Sequence, residues 1–505
     1  MKKILMIALG AGMLLGACSK DFLDKSSTRF ISKDDIDKIT EQSPHLMEAT
    51  INGLYAYNVR QFAAASTGHD DFGQKGFDIY TDMMSGDMNL NSAIYGWYRG
   101  VSNLTDFENY ASTTSAKGWR FYYYMVRGAN NIITAYLDDN DQPRKTLSPQ
   151  ENLILAQAYA MRAYMYYNLV NLYTKGYDLN EKILPIYVRP ILTNTPAKPT
   201  QEVFALMESD MRTSLKYFED AGATGKGANI NYNVAKGIFA YILAAKGTPD
   251  ALTEVVTLTN DVIGQYTVGT KAHMLGGFNS VSANPNWMWG AVLTTENNLD
   301  LVSWWGQIDV FTYSYAAVGD SKGINKELYA AIRPDDVRKQ QFETNVEFFD
   351  PEIDDMVSFG SAILPLNKFY PSTGKVFKGQ RIITSDYVFM RVEEMILLNA
   401  EANARMANDG AAIASLAMLL ANRLDDYSYI NGLSGQALKD EILLQTRIEL
   451  WGEGKSFAAS KRMKKDFKYG SNHLYFPGVS FSYDDSRLLI PVPQAEILNN
   501  PVYNN

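Results

Sequence analysis

The sequence predicts a mostly α-helical protein: a tetratricopeptide-like helical-repeat scaffold interrupted by an irregular, loop-rich insert carrying short strands. Three observations predict it. Segments before residue 266 and after 385 carry apolar residues at helical spacing with legible caps. Consecutive segments are joined by short turns and offer small residues, so they can pack as paired helices. Between about 267 and 384 Gly, Asn, Pro, Trp and Tyr rise and the helical stripes fade. The pairing suggests the tetratricopeptide type; the irregular spacing does not establish it by periodicity alone.

The clearest helix begins at Ser148-Pro149-Gln150-Glu151. Ser148 can cap, Pro149 suits the first turn and Glu151 completes a capping box. Ile154, Ala158, Met161, Met165, Leu169 and Leu172 then share one face, ending near Gly176. Thr200 opens another helix with a stripe of Phe204, Met211, Leu215 and Phe218. Residues 233–246 form a third, where Gly237, Ala240, Ala244 and Ala245 allow a neighbour to come close. Gly247-Thr248-Pro249-Asp250 breaks the chain, and 251–265 reads as the antiparallel partner.

The amino terminus reads as an export signal. Lys2 and Lys3 precede an apolar run, Ile4 to Leu15, too short to span a bilayer. Gly16 and Ala17 then precede Cys18, the only cysteine in 505 residues. That is the pattern of a bacterial lipoprotein, cut before Cys18 and acylated on its sulfur. Residues 1–17 are thus expected to be removed and 18–30 to form a lipidated tether. The domain 31–505 divides into scaffold (about 31–266 and 385–466), insert (about 267–384) and loop-rich tail (467–505). No later stretch is long enough to span a bilayer, which leaves the acyl chains as the membrane attachment. An acylated Cys18 leaves no thiol for disulfides, thiolate catalysis or a Cys-based metal site.

The net charge is −9, and the loss of Lys2 and Lys3 makes it more negative. Such a chain repels phosphate backbones, which argues against nucleic acid as a partner. His45, His69, His273 and His473 lack metal-ligand spacing and read as isolated surface residues. Asp82 to Asp87 and Asp138 to Asp141 lack the glycine and terminal Glu of a calcium loop. No metal or cofactor is expected. Lys461, Arg462, Lys464, Lys465 and Lys468 read as a solvated basic helix end.

The chain holds 32 Tyr, 23 Phe and 7 Trp, more aromatic surface than a core normally needs. Trp119 and Trp451 sit in helical patterns and read as packing. Trp97 stands in Tyr95-Gly96-Trp97-Tyr98-Arg99, a polar stretch suited to exposure. Trp287, Trp289, Trp304 and Trp305 crowd the insert. An exposed indole covers the C–H face of a pyranose, while nearby Asp, Asn or Arg groups bond its hydroxyls. Trp97, Tyr98, Arg99, Asp71 and Asp78 form one candidate glycan site, and Trp287, Trp289, Trp304 and Trp305 another. Asn284, Asn286 and Asn297 surround the second.

Four ordered segments resemble the SusD/RagB family of surface nutrient-binding lipoproteins. They are Cys18 with Asp21-Phe22-Leu23-Asp24; the helix at 156–173 with Leu184-Pro185; YVFMRVEEMILLNAEANAR at 387–405; and Arg447-Ile448-Glu449-Leu450 through Glu453-Gly454 to Lys461-Arg462. The closing Ile490-Pro491-Val492-Pro493, Glu496-Ile497 and Asn500-Pro501 fit the same family. Ser456 and Ala459 depart from its usual Arg and Asp, and Glu393 replaces a usually small residue. The resemblance implies a helical-repeat scaffold with a variable glycan-binding insert. It also implies a SusC-like TonB-dependent outer-membrane transporter as partner, to which captured oligosaccharide is delivered without catalysis. A peptide-binding role and a surface glycoside hydrolase are the alternatives; no hydrolase motif is visible.

Overall fold

The computed structural model describes residues 45–190, 193–223, 229–370 and 375–504. The expected signal, Cys18 and the tether lie outside these residues. Thr50–Asn505 forms one compact unit; of the residues before it, only the start of helix α1 (His45–Tyr57) is described.

The main helices are α2 (Gln74–Met84), α3 (Thr113–Tyr136), α4 (Pro149–Tyr173), α5 (Thr200–Asp220), α6 (Tyr232–Lys246) and α7 (Pro249–Ile263). After the insert come α8 (Val392–Arg405), α9 (Asp409–Leu420), α10 (Gly435–Glu449) and α11 (Ser456–Arg462). From α3 to α9 each helix packs on the next, so α7 lies directly against α8 across the insert. The stack is therefore continuous in space although the chain leaves it for more than 120 residues between Ile263 and Val392. This is the helical-repeat scaffold.

Local chemistry explains the boundaries. Ser148 and Glu151 close the capping box at the start of α4. Gly247, at φ 70°, ends α6, and Thr248 caps α7 ahead of Pro249. Helix α4 is buried nearly all round, because α3 and α5 flank it. Much of the tyrosine content, including Tyr122, Tyr136, Tyr166 and Tyr173, fills this interior. Gly237 of α6 serves a close approach: a Cβ there would lie 2.5 Å from Met390 Sδ.

The insert leaves and rejoins the stack through paired strands. Four short strands take part: β1 (Met88–Leu90), β2 (Trp287–Ala291), β3 (Lys322–Ile324) and β4 (Tyr387–Arg391). β2 pairs antiparallel with β4, bringing Tyr387 opposite Ala291 and Arg391 opposite Trp287. β1 pairs with β3, tying the segment after α2 to the insert. The tail returns to the first helices: Ile490 N donates to Leu172 O (3.1 Å), and Ala197 N donates to Tyr503 O (3.0 Å).

Below the β2–β4 pair lies a cluster of buried charge. Glu449 accepts from Arg391 (2.6 Å), Arg423 (2.7 Å) and Arg338 (3.0 Å). Glu453 pairs with Arg391 (2.8 Å) and Lys368 (3.1 Å), and Asp336 pairs with Arg338 (2.6 Å). Glu393 completes it against Arg423 (3.3 Å), and also accepts from Asn286 (3.0 Å). The cations Arg338, Lys368, Arg391 and Arg423 thus face the carboxylates Asp336, Glu393, Glu449 and Glu453, and the charges balance. Burial alone would raise the pKa of Glu449, but Arg423 and Arg391 outweigh it and hold the carboxyl well below its usual range. The Glu393 departure is therefore accommodated as a charge partner. Ser456 and Ala459 are fully buried, in a place where one unpaired guanidinium would be costly.

Lys461 and Arg462 correct the expectation of a solvated basic end. Lys461 Nζ donates to Asn171 O and Thr174 O (both 2.9 Å), and Arg462 pairs with Glu401 (2.7 Å), all buried.

Removing one partner strands the rest of the cluster. Glu449→Gln is expected to destabilise the protein by about 3–5 kcal/mol at pH 7 in denaturant unfolding. Glu449 and Glu453 have depressed folded pKa values, so their stabilisation is complete above the unfolded value of 4.5 and is lost as pH falls through the folded ones. The gap between wild type and variant should therefore shrink on acidification below pH 4.5; a constant gap would show that these ion pairs do not set acid stability.

Candidate functional site

Three loops meet at the surface above the β1–β3 pair and present aromatic rings. The first, residues 60–73, precedes α2. Gly73 (φ 72°) lies so close to Asn58 that a Cβ would come 2.1 Å from its carbonyl oxygen. Asp71 organises the loop from within: its carboxylate accepts from Ala64 N (2.9 Å), Ser66 N (3.1 Å) and the Ser66 hydroxyl (2.8 Å). Phe62 N donates to Asp71 O (2.7 Å), which holds Phe62 at φ 54°, the residue 38% exposed. A left-handed Phe is an unfavourable backbone state that the surrounding bonds must maintain.

The second loop carries Tyr95 and Trp97. Asp320 accepts from Tyr95 N (2.9 Å) and Trp97 N (3.0 Å), clamping the turn from below. Tyr95 is 59% exposed and Trp97 half-buried. Tyr98, at φ 65°, turns inward, and its hydroxyl donates to Gly76 O (3.2 Å). Arg99 is exposed and donates to Ala93 O (2.7 Å).

The third loop supplies Tyr315, whose ring meets those of Tyr95 (5.2 Å) and Trp97 (5.8 Å) edge to face. His69 stacks parallel on Trp97 at 5.0 Å, its Nδ1 lies 2.7 Å from the Tyr315 hydroxyl, and Phe62 meets it edge-on. Phe62, His69, Trp97 and Tyr95 thus form one aromatic surface, joined from behind by the buried ring of Tyr315. Lys322 of β3 anchors it underneath, donating to Gln307 O, Gln307 Oε1 and Asp320 O (3.1 Å each), while Gln307 holds the His69 carbonyl (3.0 Å). Burial lowers the Lys322 pKa to about 7, although Asp320 and Asp70 oppose it.

The expected second platform is corrected. Trp287, Trp289, Trp304 and Trp305 are 7%, 2%, 2% and 1% exposed. Trp289 packs edge to face on Tyr164 of α4 (5.1 Å), Trp304 on Phe369 (4.6 Å), and Trp287 on Phe278 (5.1 Å). Trp305 Nε1 donates to Ser385 O (2.8 Å). Trp289 joins the insert to the scaffold, while Trp287 and Trp304 pack on rings of the insert itself; their large apolar surface is used in packing. Asp71 and Tyr98 are buried supports for the surface, and Asp78 pairs with Lys75 (2.8 Å) in the interior. Of the nine residues expected in glycan sites, Trp97 and Arg99 reach solvent at the aromatic surface. Trp119 and Trp451 are buried, as expected; their indole nitrogens bond Glu496 and Asp87 O.

Phe62, His69, Tyr95, Tyr315, Asp320 and Lys322 did not stand out in the sequence. Tyr95 could have, since it shares a turn with Trp97. His69 is no isolated surface residue, and His473 is buried. Among the described residues no three metal-ligating side chains cluster, and no helix is long and apolar enough to cross a membrane.

Residues 21–217 match the family model described as "Starch-binding associating with outer membrane", and residues 339–505 match the SusD family model. Solved structures share the architecture. A SusD-like carbohydrate binding protein from Bacteroides vulgatus ATCC 8482 superposes with a TM-score of 0.72 at 22% identity, over 90% of this chain and 96% of that one. A SusD superfamily protein from Bacteroides thetaiotaomicron VPI-5482 gives 0.72 at 20%, over 90% and 98%. One from Bacteroides fragilis gives 0.69 at 19%, over 92% and 99%. No curated protein matches the sequence. With both ends of the chain matched and the fold shared, the protein belongs to the SusD/RagB family.

Asp309 lies in the loop leading to Tyr315. Burial pushes its pKa up to about 8 although Phe311 N bonds it. A raised carboxylate pKa gives a contribution complete below 3.8 that is lost as pH rises through 8. Asp309→Asn should therefore raise the melting temperature at pH 8 and leave it nearly unchanged near pH 3.8. Equal shifts at both pH values would contradict the assignment.

Proposed function

We propose that this protein captures oligosaccharide at the cell surface and passes it to a SusC-like TonB-dependent transporter without cleaving it. The observation that carries this reading is the aromatic surface of Phe62, Trp97 and Tyr95, backed by His69 and Tyr315. Rings held by buried clamps can receive the C–H faces of successive sugars, at roughly 1 kcal/mol per good aromatic contact beyond burial. Exposed Arg99 follows the Trp97 turn and offers donors to sugar hydroxyls. Membership of a family whose matched model is described as starch-binding and outer-membrane associating supports both ligand class and location. Attachment through acylated Cys18 is part of the proposal.

The absence of catalysis is supported by how the nearby carboxylates are used. Glycoside hydrolysis needs two carboxyl groups facing the scissile bond across roughly 5–10 Å. Asp71 and Asp320 are buried under the rings and accept from backbone N–H donors.

Calorimetry of the purified protein against a panel of plant, host and microbial glycans tests the proposal. Trp97→Ala should weaken the best ligand by about tenfold or more with little loss of stability. Trp289→Ala should cost about 3–5 kcal/mol of stability and leave affinity within about twofold. Unaltered binding in Trp97→Ala, or reducing sugar accumulating with time, would refute the proposal.

A further inference from the structure

Beside the aromatic surface lies an open groove of about 500 Å³, lined in part by Tyr57, Arg60, Gln61, Phe62, Asn297 and Asn298. Its size falls within the roughly 300–1,000 Å³ of small-ligand sites. Phe62 belongs to both features: it lines the groove and meets His69, which stacks on Trp97. The two are therefore one continuous strip.

The groove is built differently from the platform. Gln61 Nε2 donates to Asn298 O (3.1 Å), joining the two walls. Asn298 sits at φ 50°, and Asn297 Oδ1 accepts from Thr294 N (2.8 Å), while among the described residues its Nδ2 makes no hydrogen bond. Among the described residues Arg60 is exposed and makes no ion pair, and none of the residues lining the groove is acidic. On a chain of net charge −9, Arg60 thus lines a groove that offers amide groups and a ring but no carboxylate. A guanidinium presents two parallel N–H donors that match a carboxylate.

We infer that this groove is a second subsite that takes an acidic sugar, its carboxylate held by Arg60 and its ring placed against Tyr57 and Phe62. A glycan crossing the strip would lay neutral faces on Trp97 and Tyr95 and an uronate in the groove. This inference rests on the proposed glycan binding and adds the charge class of the ligand.

The test uses the purified full-length protein and uronate-containing oligosaccharides (galacturonate, alginate, glucuronoxylan and glycosaminoglycan fragments), each paired with its carboxyl-reduced form. At low salt the best acidic ligand should bind about five- to tenfold more tightly than its reduced form. Arg60→Ala should abolish that preference while leaving the reduced form within twofold, and Trp97→Ala should weaken both forms. Gly53→Phe gives an independent arm, since Gly53 lines the groove and a Cβ there meets no atom within 4 Å; filling the groove should also remove the preference. Equal binding of acidic and reduced forms, or a preference that survives Arg60→Ala, overturns the subsite and leaves the platform standing. If no member of either set binds while neutral glycans bind through Trp97, the subsite again falls alone. If no glycan binds at all, both readings fall.

Discussion

Four buried cations set against four buried carboxylates fix where the insert meets the helical stack. Glu449 and Glu453 come from α10 and the turn after it, Arg391 ends β4, Arg423 follows α9, and Arg338 and Lys368 come from the insert. Charges out of water tolerate little displacement, because each lost partner leaves a desolvated ion uncompensated. The cluster thus supplies direction and register, which apolar packing alone does not specify. The four indoles of 287–305 supply apolar area around the same seam. With the seam fixed, β3 and the loop carrying Tyr315 are held in place, and the surface rings inherit that rigidity through Lys322 and Asp320.

This arrangement separates two uses of aromatic residues. Indoles at the seam are enclosed and confer stability. Rings at the loop tips are few and partly exposed, and the backbones of Tyr95 and Trp97 are clamped by the buried carboxylate of Asp320. The backbone strain at Phe62 and Tyr98 lies at these tips, where positioned side chains justify an unfavourable conformation. A platform already in place loses little entropy on binding, so more of the contact energy is retained as affinity.

Local signals carried the scaffold well. The capping box of Ser148 and Glu151, the Gly247 stop and the Thr248-Pro249 start are short-range, and each stands where it was expected. Long-range pairing was not legible. β2 and β4 are separated by about a hundred residues, and nothing near Trp287 or Trp289 shows that a partner strand and Tyr164 will cover them. Lys461 and Arg462 looked like surface charge because their partners, the carbonyls ending α4 and Glu401 of α8, are remote in sequence. The Trp97 turn was legible from its own polar, glycine-bearing context. Its stack with His69 was not, since two separate loops meet there. Glu393, which looked misplaced among small residues, made sense only once Asn286 and Arg423 were beside it.

A crystal structure of the protein with a bound oligosaccharide tests the central claim most directly. Sugar rings should lie on Tyr95, Trp97 and Phe62, with Trp287, Trp289, Trp304 and Trp305 still enclosed. Sugar bound elsewhere with this surface empty, or those four indoles turned outward to meet it, would contradict the account.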